Sequence, residues 1–101
     1  QTRLDLALQE LVEQHRSLLV RKTVLVVVSD TKTQDAERAA RLLGEVRGRL
    51  KEVIWFNPLP PEEWQRHPAV AAFRPLSRML PCRTLGDLER VLRHDLWRIV
   101  A

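Results

Sequence analysis

The chain is poor in the residues that usually staple, anchor or expose a small protein. It has a single cysteine, no tyrosine and three glycines in 101 residues. One cysteine, Cys82, cannot close an internal disulfide, which fits a reducing compartment. One cysteine and three scattered histidines, His15, His67 and His94, lack the spacing of a structural zinc site. No uninterrupted apolar run exceeds the five residues of Val24 to Val28, far short of the roughly 18 residues of a membrane-spanning helix. Gln1-Thr2-Arg3 opens directly into a helical pattern, so no signal peptide is expected. The absence of an initiator Met points to a chain cut from something longer. Repeats and low-complexity tracts are absent too. Length and composition, 45% hydrophobic and 30% charged, fit one small globular unit with a modest core over 1–101.

Charge has little of a one-signed character. Seventeen basic residues face thirteen acidic ones, a net +4. Basic and acidic side chains interleave, as in Arg38, Arg41, Glu45, Arg47, Arg49, Lys51 and Glu52. A nucleic-acid surface more often concentrates its arginines beside aromatics, so no nucleic-acid partner is expected.

Apolar periodicity predicts a helix over 3–19, carried by Leu4, Ala7, Leu8, Leu11, Val12, Leu18 and Leu19. Thr2 stands as its N-cap, with Asp5 three residues on, and Arg21 and Lys22 close it. Residues 23–28, TVLVVV, predict a strand buried on both faces, as in a parallel sheet. A second helix is predicted over 34–50, with Ala36, Ala39, Ala40, Leu43, Val46 and Leu50 inward and Thr31 with Gln34 as a capping box. Gly44 and Gly48 would weaken that helix or allow close packing. EVIWF over 52–56 predicts a second strand, stopped at Asn57-Pro58. A proline-rich loop follows to Pro68, with a turn around Glu62-Glu63-Trp64. Residues 69–80 are weakly helical, and Pro81-Cys82-Arg83 suggests a short third strand. Thr84 with Asp87 would cap a last helix whose stripe is Leu85, Leu88, Val91, Leu92, Leu96 and Ile99.

Alternating helices and strands predict an α/β fold, a Rossmann-like three-layer sandwich with a parallel sheet. Each helix then runs antiparallel to its strand. Thr2 and Asp30 share the carboxyl edge, where open α/β sheets bind ligands. A hydroxyl and a carboxylate converging there suit a hard divalent cation such as Mg²⁺. Equally, Asp30 and Thr2 could serve only as loop and capping residues. Ser29 lacks the surroundings of a nucleophile. Cys82 reads as a small buried residue, and Trp64 as a cover for the end of the core or an exposed anchor. Glu62-Glu63 and the arginine faces read as solvated surface, the latter open to an acidic protein partner.

VLVVVSD, a helix and then EVIWFNPLP together resemble the C-terminal half of a von Willebrand factor A domain, most closely the CoxE-like bacterial branch. Met79-Leu80-Pro81 and the Leu-rich run Leu85 to Leu92 add to the resemblance, as does Thr2 five residues before Ala7-Leu8. The resemblance implies a metal-ion-dependent adhesion site to which Thr2 and Asp30 contribute ligands to Mg²⁺, or to Mn²⁺ or Ca²⁺. It further implies a cytoplasmic, non-enzymatic interaction module that binds a partner carboxylate through that ion. The implied partner is a MoxR-type AAA+ ATPase or an acidic client segment, and the implied role is maturation of metalloenzymes or other complexes. The family's Asp-x-Ser-x-Ser segment occurs nowhere in the chain. Arg3 stands where an acidic residue is frequent, and Thr31 where glycine is common. The implied strand order places 23–28 beside an absent first strand. An apolar edge is therefore expected to stand unpaired, unless a companion fragment or self-association covers it. A Mg²⁺-dependent α/β enzyme or receiver-like module using Asp30, and a scaffold whose metal site is lost, are the competing expectations.

Overall fold

The computed structural model describes residues 3–82 and the backbone of 96–100. Helix α1 (Leu4–Gln14) leads through a 3-10 turn at Arg16–Leu18 into strand β1 (Val24–Val28). Helix α2 (Ala36–Arg47) and strand β2 (Glu52–Asn57) follow. A 3-10 segment, Pro61–Arg66, precedes the short helix α3 (Pro68–Phe73), the turn Arg74–Leu76 and strand β3 (Arg78–Pro81). Strand β4 is Leu96–Val100. The four strands form one parallel sheet in the order β3-β2-β1-β4. The fold is α/β and Rossmann-like, as the alternation of elements predicts.

Strand β1 forms because five consecutive β-branched and aliphatic residues can bury both of their faces. Leu25 and Val27, with Val53 and Trp55 of β2, meet Leu4, Leu8 and Leu11 of α1 and Ala39, Leu43 and Val46 of α2. Phe73 of α3 closes the same core, its ring stacked on Trp55 at 4.7 Å between centroids. Val26 and Phe56 lie on the opposite face and are buried as well. That is the environment expected of a strand without apolar–polar alternation.

Five expectations from sequence are corrected. The first helix stops at Gln14 rather than continuing to Leu19. Its 11 residues, at about 1.5 Å each, span the same ~16 Å as the five residues of β1 at about 3.3 Å, so the chain must turn there to enter the strand. Arg21 and Lys22 accordingly lie in the turn before β1, not at a helix end. The second helix is capped by Asp35, whose carboxylate accepts the Arg38 N–H at 3.2 Å, not by Thr31 with Gln34. The third strand is Arg78–Pro81, three residues earlier than expected, because it pairs with the end of β2 at Ile54 to Asn57. Leu96 and Ile99 belong to a strand and not to a helical stripe. The rest of that expected helix, from Thr84, lies outside the described residues up to 95, as does Thr2. Finally, the apolar edge of β1 is not left bare: β4 pairs along it from Val24–Leu96 to Val28–Val100.

Candidate functional site

Every strand of a parallel sheet points its carboxyl end to the same edge, and the loop after β1 is built there by side-chain hydrogen bonds. The Ser29 N–H donates to the Phe56 carbonyl at 3.1 Å, carrying the β1–β2 pairing one residue beyond the strand. The Trp55 indole N–H donates to the Ser29 carbonyl at 2.8 Å. Ser29 Oγ then accepts the Thr31 N–H at 3.1 Å, and Asp30 Oδ1 accepts the Lys32 N–H at 2.9 Å. These two side-chain turns reverse the chain and hold the half-buried Asp30 carboxylate at the edge. The buried Ser29 hydroxyl thus serves the turn.

Thr31 is the strained member of the loop. Its φ is 70°, in the left-handed region that β-branched residues avoid, and it is fully buried. Its hydroxyl oxygen is a buried polar atom with no hydrogen-bond partner among the described residues. Strain and an unsatisfied hydroxyl together concentrate stored energy next to Asp30.

The start of α1 sits against this loop. Thr33 Oγ1 accepts the Leu4 N–H at 2.9 Å and donates to the Gln34 carbonyl at 3.0 Å. A helix N-terminus leaves its first N–H groups without intrahelical partners, and Thr33 satisfies one of them from 29 residues away. Arg3, the residue before α1, reaches Gln34 Oε1 at 3.1 Å. Thr2, expected to converge with Asp30, lies outside the described residues; its neighbours Arg3 and Leu4 bond to Gln34 and Thr33 of the loop that follows Asp30. The start of the second helix places Thr33 at the carboxyl edge in sequence, but its bond to Leu4 was not legible there. Its only signal was a third hydroxyl in a short strand-to-helix connection.

Behind the edge lies a charged cluster that sequence reasoning also missed. Asp5 is fully buried and accepts two hydrogen bonds from Arg3, each 3.0 Å, and one from Arg38 at 3.0 Å. Arg38 also donates to Gln9. The Arg3 hydrogen bond holds the Asp5 carboxyl well below the usual carboxylate range, against burial, and Arg38 and the Leu6 N–H add to the effect. The cluster ties α1 to α2 directly behind the loop.

Asn57 closes the edge on the β2 side. It is fully buried, its side-chain oxygen accepts the Leu59 N–H at 2.9 Å, and its carbonyl accepts the Cys82 N–H at 3.1 Å. Cys82 is half-buried. His15 lies at the end of α1 and His67 at the start of α3, while His94 lies outside the described residues. Trp64 is buried, its indole N–H donating to the Leu59 carbonyl at 2.8 Å, so it covers the core.

As a metal centre, the edge offers donors of the right kind. Asp30 and the surrounding hydroxyls are hard oxygen donors, which suit Mg²⁺ or Ca²⁺. Among the described residues no group of three or more His, Cys, Asp or Glu side chains could hold an ion. No described helix is long and apolar enough to cross a membrane.

A family model described as "VWA domain containing CoxE-like protein" matches residues 1–91. No curated protein and no solved structure matches the chain.

Proposed function

Because the chain belongs to the CoxE-like family of VWA domains, we propose that it is a non-enzymatic protein–protein interaction module working through the carboxyl edge of its sheet. Asp30 and Thr2 would hold a divalent ion there, Mg²⁺ before Mn²⁺ or Ca²⁺. Water, an acidic group of the partner, and groups from outside this chain would supply the other coordination positions. The ion, when bound, supplies directional attraction for a partner's carboxylate. The chain's own work is positional. Ser29 and Asp30 fix the turn, and Thr33 pins the start of α1, which Thr2 precedes, beside it. The single observation carrying the proposal is that 2.9 Å bond from Leu4 to Thr33, which brings the start of α1 to the Asp30 loop. The proposed partner is a MoxR-type AAA+ ATPase or an acidic client segment, in the cytoplasm, and the proposed role is maturation of metalloenzymes or other complexes.

The departures at Arg3 and Thr31 favour one competing proposal: a VWA scaffold whose ion site is lost. Thermal unfolding in Mg²⁺ or Mn²⁺ against EDTA separates the two. A ligand at ten times its Kd that binds only the folded chain adds about 1.4 kcal/mol. For a domain of this size that is a Tm rise on the order of 6–10 °C. The rise is expected in the native chain and absent in Asp30→Ala. No rise in either sinks the ion site and leaves the scaffold.

A further inference from the structure

A cavity of about 400 Å³ opens on the outer side of the Pro61–Arg66 segment and α3. That volume lies at the small end of ligand pockets, roughly 300–1,000 Å³. Its floor is apolar, formed by the buried Trp64 and Val70, and its exposed rim includes Ala71, Arg74 and Pro75. The Trp64 indole N–H is already bonded to Leu59, so the ring offers the cavity only its carbon surface. The Arg74 guanidinium lies 5.3 Å from the centre of that ring, a cation–π arrangement that fixes a positive charge at the mouth. Among the described residues, no Asp or Glu lines the cavity. Arg74 has no carboxylate partner among the described residues.

An apolar floor under a fixed, carboxylate-free guanidinium is complementary to an apolar side chain next to an acidic one. We infer that this cavity is a docking site for an acidic peptide segment of a partner protein, one large aliphatic or aromatic side chain entering over Trp64 and Val70 while a neighbouring carboxylate pairs with Arg74. Planar guanidinium donors match a carboxylate in a two-point fashion that a lysine would not. The rim residues Ala71, Arg74 and Pro75 lie along one side of α3 and the turn after it, so an extended segment can continue past the anchor. The site uses none of the residues at the Asp30 edge and does not depend on an ion there.

The test is NMR titration of the full chain with the peptide acetyl-Glu-Leu-Phe-Glu-amide, following the Trp64 indole N–H signal, assigned by its loss in Trp64→Phe. A saturating shift is expected. Replacing both glutamates of the peptide by glutamine should weaken binding at least tenfold, and so should Arg74→Gln. Arg47→Gln, an exposed arginine on α2, should leave it unchanged. Asp30→Ala and EDTA should also leave it unchanged, so loss of the ion site and loss of this site are read separately. No saturable shift, or equal binding by Arg74→Gln, overturns the proposal. Octanoate saturating the same signal while the peptide fails to do so also overturns it, in favour of a small anionic amphiphile. Arg74 is exposed, so a folded Arg74→Gln spectrum is expected, and its dispersed amide signals verify that the comparison is between folded chains.

Discussion

Thr31 and Asp5 show how single residues at one edge can hold opposite balances of energy. Thr31 combines a left-handed backbone with a buried hydroxyl that has no partner among the described residues, each a cost of roughly 1–3 kcal/mol. Glycine removes both and gives back part of the gain through the greater freedom of the unfolded chain. Thr31→Gly is expected to raise stability by about 1 kcal/mol in urea unfolding, and a loss of that size would show that the Thr31 side chain supports the loop. Asp5 is the opposite case, a buried carboxylate whose hydrogen bonds favour its charged form. Its folded-state pKa lies below the unfolded value of about 3.9. Its contribution is therefore complete above about pH 4 and fades as the pH falls from there toward the folded value. Asp5→Asn should cost roughly 1–2 kcal/mol at pH 7, toward the low end because Arg3 and Arg38 remain partly solvated. The gap between the two proteins should narrow as unfolding is followed from pH 4 down to pH 2.

At the scale of elements, α2 was readable in outline because its inward residues keep a spacing of three and four. Ala39, Leu43 and Val46 are all buried, as that spacing requires. Its ends were not readable. Asp35 caps it from a left-handed conformation at φ 48°, a geometry no periodicity encodes. Gly44 sits inside the helix, where a Cβ would meet, among the described residues, only the Leu76 side chain at 4.0 Å, an ordinary contact. Close packing therefore does not require it. Gly44→Ala should raise Tm by several degrees, corresponding to about 0.5–1 kcal/mol. The end of α1 escaped the sequence for a related reason: Leu18 and Leu19 fit a helical stripe, yet helix length is set by the strand it must lie against.

At the scale of the molecule, the decisive feature is which strand covers β1. The run Val24–Val28 announces a strand that needs partners on both edges, but not what they are. One edge takes β2, and the other takes β4, whose residues lie beyond the 1–91 matched by the family model. Successive N–H groups along a strand point to opposite edges, so one of Trp97 and Arg98 donates toward β1. Of Trp97→Pro and Arg98→Pro, one is expected to lower stability by on the order of 1–3 kcal/mol and to promote concentration-dependent association through the bared edge. Size-exclusion chromatography with thermal unfolding checks both effects, and two tolerated prolines would show that β4 contributes little.

Sequence alone determined the parallel α/β class, the two central strands and the inward face of α2. It also placed Asp30 at the carboxyl edge. Each follows from local apolar pattern and from the fixed direction of a strand in a parallel sheet. Tertiary structure decided the rest: β4 at the edge of β1, Thr33 against the start of α1, and Asp5 between Arg3 and Arg38. Apart from Arg3 with Asp5, two positions apart, these pairings join residues about 30 to more than 70 positions apart, or make a strand of Leu96–Val100 because an edge needs filling. Their physical cause is the saturation of hydrogen bonds and charges across the assembled fold, which no window along the chain contains.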